Sequence, residues 1–167
     1  FGELGRLRQL KQRRPGMLIG LCGCVAQQEG ERVFARAPYV DFVVGPRSIG
    51  SLAETLERLR DGDASARHSV DTEYRADSIH FPFDEIRRQG GETGKAFVTV
   101  IEGCNHRCTY CIVPTTRGRE ICRDMDDVLA EVRRLTGEGI VEIEFLGQTV
   151  NAYRDAHGRT LADLLLA

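Results

Sequence analysis

The hydrophobic positions of residues 1–61 follow two different spacings. Leucines recur every three residues over 4–10, which predicts a helix, and the Pro-Gly pair at 15–16 predicts its end. The runs MLIGL at 17–21 and VDFVVG at 40–45 are short and mostly apolar, as expected of buried strands.

Two amphipathic segments accompany these strands. QQEGERVFARA at 27–37 predicts a helix between them, and SIGSLAETLERLR at 48–60 predicts a helix after them, with Ser48 as its N-cap. The resulting order α-β-α-β-α predicts a parallel sheet with helices on its faces. Residues 1–61 are therefore predicted to belong to an α/β domain.

The pattern is lost over residues 62–94, which are polar, contain several glycines and show no sustained periodicity. This composition predicts an interdomain linker. The βα order then resumes with AFVTVIEG at 96–103 as a strand, a helix over 124–139, and VEIEFLG at 141–147 as the next strand. Residues 95–167 are predicted to form a second α/β domain, the first part of a (βα) barrel.

In such barrels the reacting groups lie at the C-terminal ends of the strands. The loops 103–118 and 147–153 both follow a predicted strand. We therefore expect the chemistry of this domain in these two loops.

Composition is ordinary for a soluble globular protein, with 41% hydrophobic and 29% charged residues among 167. The formal net charge of -2 gives no global basic footprint, so charge neither indicates nor excludes a nucleic-acid partner. No signal peptide is evident and no apolar run approaches the length of a membrane span, so a cytoplasmic protein is expected. The chain starts at Phe1 and stops within an apolar segment, so we expect an internal fragment of a longer polypeptide.

Six cysteines carry the candidate chemistry, and they are too clustered for a disulfide scaffold. They occupy positions 22, 24, 104, 108, 111 and 122. In a reducing cytoplasm such clusters more often bind metal or take part in catalysis. A disulfide within a C-x-x-C loop, as in redox enzymes, stays open as an alternative.

Cys104, Cys108 and Cys111 form a C-x-x-x-C-x-x-C loop that has three thiols where a closed site needs four. His106 lies inside the loop, but a solvated loop residue is the favoured interpretation of it. A cubane of four irons held by three thiolates leaves one iron open to a cofactor or substrate. The spacing therefore favours an iron–sulfur cluster with an exchangeable site.

The string GCNHRCTYCIVPTTRGRE at 103–120 resembles the radical S-adenosylmethionine enzymes, and within them the methylthiotransferase family. Three further stretches agree: FGELGR at 1–6, the segment 20–49, and FLGQTVNAY at 145–153. The last stretch favours the branch that acts on dimethylallyladenosine in tRNA. The resemblance covers nearly the whole chain and is weakest in the predicted linker.

The resemblance implies the site residues. Cys104, Cys108 and Cys111 would hold the radical [4Fe-4S] cluster, whose open iron is chelated by S-adenosylmethionine. Cys24 would be the third ligand of an auxiliary [4Fe-4S] cluster, and the other two ligands lie upstream of this chain in the family. The residues expected to contact the cofactor are Tyr110, Arg117, Gly147, Gln148 and Asn151.

The resemblance also implies an activity: insertion of a methylthio group at carbon 2 of the isopentenylated adenosine next to the anticodon. The partners would be tRNA and a reducing electron donor, and a monomer is expected. Residues 1–61 would be the later part of the family's N-terminal domain. The chain alone is expected to be inactive in methylthiolation, because two auxiliary ligands, the rest of the barrel and the RNA-binding domain lie outside it.

Three alternatives stay open. A related methylthiotransferase would act on threonylcarbamoyladenosine in tRNA or on an aspartate of a ribosomal protein. A non-enzymatic zinc-binding module would bind nucleic acid and use His106 as the fourth zinc ligand. A thiol–disulfide protein would use Cys108 and Cys111. Cys22 and Cys122 are expected to be small buried residues without a ligand role.

Overall fold

The computed structural model describes residues 2–73 and 94–167, which form two compact units. Each unit has its own hydrophobic core. Of the linker predicted at 62–94, residues 74–93 lie outside the described residues.

A three-stranded parallel sheet is the centre of the first unit, as predicted. Its strands lie in the order β1 (Gly20–Cys22), β2 (Phe42–Val44) and β3 (Ser69–Asp71). Val43 in the central strand is opposite Leu21 on one side and Val70 on the other. The third strand falls within the range 62–94, so this sheet extends further along the chain than the expected start of the linker.

The helices of the first unit differ from the prediction in two places. They are α1 (Gly2–Arg13), α2 (Cys24–Glu29), α3 (Arg32–Arg36) and α4 (Leu52–Arg60), with 3-10 turns at Pro46–Ser51 and Ala64–Ala66. The single helix predicted at 27–37 is broken at Gly30, whose positive φ of 50° ends α2. Ser48 is not an N-cap, because Pro46 starts a 3-10 turn that buries Ser48 and delays α4 until Leu52.

The central strand is buried on both faces, which explains its continuous apolar run. Val43 packs in a cluster with Leu4 of α1, Ala26 of α2 and Val33 of α3. Phe42 and Val44 pack in a second cluster with Leu59 of α4. Helices therefore cover both faces of the sheet, as expected of a parallel sheet.

A parallel pair of strands, β4 (Lys95–Thr99) and β7 (Glu142–Leu146), is the centre of the second unit. The other elements are β5 (Ile101–Glu102), α5 (Val113–Thr116), β6 (Ile121–Cys122), α6 (Met125–Gly137) and α7 (Leu161–Leu166), with a 3-10 turn at Val150–Ala152. The helix α6 connects the two parallel strands, as predicted for a βα repeat. Two parallel strands are common to several α/β architectures, so the barrel stays a prediction.

The strand predicted at 96–103 is interrupted at Val100. Its second part, β5, forms a short antiparallel ladder with β6, in which Ile101 is opposite Cys122. No periodic pattern indicates this ladder in the sequence, because both strands have only two residues. The ladder holds together the two ends of the segment that runs from β5 through the cysteine loop and α5 to β6.

Buried side chains from β4, α6 and the segment before α7 form the core of the second unit, and Val98, Val128 and Tyr153 are among them. The N-terminus of α6 is capped by Asp124, whose side chain accepts a hydrogen bond from the amide of Asp126.

Within residues 2–73 and 94–167, no helix is long and apolar enough to span a membrane.

Candidate metal centre

The three cysteines of the C-x-x-x-C-x-x-C motif lie on an irregular loop between β5 and α5. Cys104 and Cys111 are half-buried, whereas Cys108 is exposed. All six cysteines of the chain are free thiols. The loop therefore presents soft sulfur ligands that are accessible to a metal or cluster, and the structure contains no disulfide between Cys108 and Cys111.

Gly103 fixes the start of the loop in a conformation that only glycine tolerates. Its φ is +80°, and an added Cβ would lie 2.2 Å from the carbonyl oxygen of Arg119. The next amide, that of Cys104, donates a hydrogen bond of 2.9 Å to the carbonyl oxygen of Gly118. The first cysteine is thus placed by backbone contacts with the end of the same loop.

The segment after β7 contacts the cysteine loop directly. The amide of Gly103 donates a 2.7 Å hydrogen bond to Oε1 of Gln148, and Oγ1 of Thr149 lies 3.4 Å from Sγ of Cys104. Gly147 permits this approach, because a Cβ there would lie 2.2 Å from Cγ2 of Ile101. The two loops in which chemistry was expected therefore meet at the first cysteine.

A pair of side chains that sequence reasoning missed closes the loop. The carboxylate of Glu120 accepts hydrogen bonds from the amide of Asn105 (3.1 Å) and from its Nδ2 (3.0 Å). The amide of Glu120 in turn donates to Oδ1 of Asn105 at 3.2 Å. We call these three hydrogen bonds the Asn105–Glu120 clamp.

Three further residues were expected to contact the cofactor: Tyr110 and Arg117 in the cysteine loop, and Asn151 in the segment after β7. The Tyr110 side chain is 92% exposed. A guanidinium nitrogen of Arg117 is 3.9 Å from a carboxylate oxygen of Glu102, the last residue of β5. Asn151 is exposed in the 3-10 turn at Val150–Ala152. Their contacts with a cofactor stay predictions.

Cys24 belongs to the first unit, where it is the first residue of α2 and is half-buried. Gly23 precedes it with a positive φ of 95°, which turns the chain sharply from β1 into the helix. Cys22 was expected to be buried but is exposed, because β1 is an edge strand that pairs only with β2.

Cys122 is half-buried in β6, and its sulfur accepts a 3.4 Å hydrogen bond from the amide of Arg154. Burial raises the pKa of the Cys122 thiol, so less of the reactive thiolate is present at a given pH. At neutral pH we expect iodoacetamide to alkylate Cys122 more slowly than the exposed Cys108, as measured by peptide mass spectrometry. The difference should vanish in the urea-unfolded chain; equal rates in the folded chain would contradict this placement.

His106 is exposed, as expected, but its position is more specific than that of a solvated loop residue. A ring nitrogen of His106, Sγ of Cys104 and a carboxylate oxygen of Glu120 all lie within 4.8 Å of one another. Among the described residues, no other group of three or more His, Cys, Asp or Glu side chains has its ligand atoms this close together. Cys108 and Cys111 are not members of it.

The three motif cysteines are free thiols at three separate positions of one loop. In a cubane each thiolate binds a different iron, so separated thiolates are required. The three free thiols on one loop are therefore compatible with a [4Fe-4S] cluster.

Two family models match parts of this chain. Residues 98–166 match the Radical SAM superfamily, and residues 1–45 match the uncharacterized protein family UPF0004. The first match confirms the resemblance of the cysteine loop to the radical S-adenosylmethionine enzymes. That superfamily implies a [4Fe-4S] cluster and S-adenosylmethionine as cofactors.

More specific similarity is to the tRNA-2-methylthio-N(6)-dimethylallyladenosine synthases. The chain is 46% identical to that of Burkholderia vietnamiensis over 98% of its length, and 47% identical to that of Burkholderia ambifaria over 93%. Identity to the synthase of Pasteurella multocida is 44% over 93% of the chain. The chain spans about a third of the length of these relatives (35%, 33% and 32%).

Proposed function

We propose that this chain is the part of a tRNA methylthiotransferase that starts its radical chemistry. The reaction is methylthiolation at carbon 2 of an isopentenylated adenosine next to the anticodon. The three-cysteine loop, held against the segment 147–149, carries this proposal. The identity of 44–47% to synthases of this name supports the choice of substrate.

Cys104, Cys108 and Cys111 would hold the cluster of the radical site. When bound, a [4Fe-4S] cluster with one open iron supplies the electron that cleaves S-adenosylmethionine reductively and so provides the radical needed at an unactivated carbon–hydrogen bond. The contribution of the protein is to place the three thiols and to keep their positions fixed.

The residues around the loop supply this rigidity and the surface that contacts the cofactor. Tyr110, Arg117, Gly147, Gln148 and Asn151 form that surface. Oε1 of Gln148 is already bonded to Gly103, so Gln148 is expected to contact the cofactor through its amide nitrogen. The planar guanidinium of Arg117 is suited to bind a carboxylate.

Cys24 would contribute one ligand to an auxiliary [4Fe-4S] cluster, which would be associated with the sulfur that is inserted. The similarity to a synthase over 98% of this chain, Cys24 included, supports a role of this region in the same enzyme. The proposed partners are tRNA and a reducing electron donor. The complete enzyme is proposed to be a cytoplasmic monomer.

The test is formation of 5′-deoxyadenosine by the anaerobically reconstituted chain with S-adenosylmethionine and a chemical reductant. We expect about four irons per chain and release of 5′-deoxyadenosine, but no methylthiolated tRNA, because one cysteine cannot hold the auxiliary cluster. Cys108→Ala should abolish the product, whereas Cys122→Ala should not. A chain that binds iron normally and yields no 5′-deoxyadenosine would overturn the proposal.

The Asn105–Glu120 clamp predicts how firmly the cluster is held. Glu120→Gln replaces the carboxylate oxygen that faces Nδ2 of Asn105 with an amide nitrogen, which is also a donor. One hydrogen bond is therefore lost, and the free energy that holds the loop falls by about 1 kcal/mol. Since this energy corresponds to a factor of about five, we expect iron to be lost to a chelator about fivefold faster.

The matched control is the double variant Asn105→Asp with Glu120→Gln. It exchanges donor and acceptor between the two side chains, so all three hydrogen bonds can form again and the net charge of the pair is unchanged. Iron loss at the wild-type rate is expected. A double variant that loses iron faster than Glu120→Gln alone would contradict the role of the clamp.

A further inference from the structure

The group of Cys104, His106 and Glu120 shares Cys104 with the proposed cluster site but presents a different set of ligands. A sulfur, an imidazole nitrogen and a carboxylate oxygen, all within 4.8 Å of one another, are the three ligand types that zinc binds. Ligands around a tetrahedral zinc ion are roughly 3.3–3.8 Å apart, given zinc–ligand distances of about 2.0–2.3 Å. Small side-chain rotations are therefore enough to close the site.

The surroundings of the three ligands are those of a metal site. The carboxylate of Glu120 is oriented by two hydrogen bonds from Asn105, and Sγ of Cys104 is 3.4 Å from Oγ1 of Thr149. Hydrogen bonds of this kind to ligating groups fix their direction and raise metal affinity. Cys104 and His106 also line an open pocket, which gives an ion access from solvent.

Charge favours a divalent ion with affinity for sulfur. Arg107 and Arg119 line the same pocket, so an uncompensated cation would be repelled. One thiolate, one carboxylate and a neutral imidazole cancel the two charges of zinc, so the occupied site is neutral. Hard ions such as magnesium prefer oxygen ligands and do not suit this set.

We propose that the cluster-free chain binds zinc through Cys104, His106 and Glu120, with a fourth position open, and that zinc and the iron–sulfur cluster exclude each other at Cys104. The exclusion rests on the function proposed above, whereas the zinc site stands on its own ligands. Zinc would then hold the first cysteine of the motif until it is displaced, and zinc-loaded chain would not accept a cluster.

The test is a competition titration of zinc against a chromophoric chelator with the full 167-residue chain, purified without iron under anaerobic conditions. His106→Ala removes one ligand and leaves all six cysteines, so we expect zinc affinity to fall at least about 100-fold, since even loss of an outer-shell partner costs about 10–100-fold. Cys108→Ser should leave zinc affinity unchanged. His157→Ala, an exposed histidine elsewhere in the same unit, is the matched control and should also bind as wild type.

Cobalt in place of zinc reports the number of sulfurs bound. The thiolate-to-cobalt charge-transfer band should have the intensity expected of one bound thiolate. It should disappear in Cys104→Ser and persist in Cys108→Ser and Cys111→Ser. An unchanged zinc affinity in His106→Ala, or loss of the band in Cys108→Ser, would overturn the proposal, because zinc would then be held by the cysteine triad.

Cluster reconstitution of the same variants separates this proposal from the function on which it partly rests. His106→Ala should still assemble a [4Fe-4S] cluster, and Cys108→Ser should not. If the wild-type chain binds zinc as described but never yields a cluster that responds to S-adenosylmethionine, the proposed function fails and the zinc site stands. If preloaded zinc does not slow cluster assembly, the exclusion fails.

Discussion

Cys104→Ala is expected to reduce the iron content of the reconstituted chain from about four atoms to less than one, with loss of the cluster absorption. The proposed role of the Cys104 side chain is that of a cluster ligand. Alanine loses the 3.4 Å contact of the sulfur with Oγ1 of Thr149 but retains the backbone hydrogen bond to Gly118. Loss of the cluster without loss of the fold is therefore expected, and far-ultraviolet circular dichroism should be unchanged.

Cys122→Ala is the matched control for this prediction. Cys122 lies in β6, opposite Ile101 in the ladder that precedes Cys104, but its sulfur interacts with the amide of Arg154 and not with the cysteine loop. Iron content should stay at the wild-type level. A cluster of normal iron content in Cys104→Ala would show that other thiols hold the iron and would refute the assignment of the motif.

Gly103→Ala is expected to have the largest effect on stability among the positions around the loop. A non-glycine residue at its φ of +80° costs about 1–2 kcal/mol, and the added Cβ would lie 2.2 Å from a carbonyl oxygen. The backbone must shift, which weakens the hydrogen bonds of Gly103 to Gln148 and of Cys104 to Gly118 at about 1 kcal/mol each. The free energy of unfolding should fall by about 3–4 kcal/mol in urea denaturation, and cluster uptake should be lost.

Gly139→Ala separates the cost of the backbone angle from the cost of the collision. Gly139 has a similar φ of +92°, but no atom lies within 4 Å of an added Cβ. It should lose about 1–2 kcal/mol of stability and still take up the cluster. Equal losses of stability in the two variants would show that the contact with Arg119 does not constrain the loop.

The sequence was sufficient for the elements whose side chains follow a period. The apolar runs at 17–21 and 40–45 predicted β1 and β2, and the helix predicted over 124–139 is α6. The parallel arrangement followed from the alternation of helix and strand. These predictions hold because burial of a face imposes a spacing that can be read from one chain.

Features set by a single backbone angle or by distant pairing were missed. The break at Gly30 lies inside an otherwise amphipathic run, and the ladder of β5 with β6 has two residues on each side. The strand Ser69–Asp71 was hidden by the polar composition around it. Such elements are fixed by contacts between positions far apart in the chain, which leave no local period.

The functional site likewise contains features that the sequence predicted and features that it did not. The cysteines and the loop after β7 were predicted from spacing and from their place after strands, and the structure brings Cys104 and Thr149 together. The Asn105–Glu120 clamp joins residues 15 positions apart, so no periodicity could indicate it. Gly103 did carry a signal, because a glycine between a strand and a ligand loop is a frequent marker of a sharp turn.

Three cysteines of this chain are proposed to hold a cluster with an open iron that binds S-adenosylmethionine. Electron paramagnetic resonance of the reduced, reconstituted chain with and without S-adenosylmethionine tests this proposal. We expect a [4Fe-4S] signal that changes when S-adenosylmethionine is added and is absent in Cys104→Ala. A chain that takes up zinc alone, or a cluster whose signal is unaffected by S-adenosylmethionine, would contradict it.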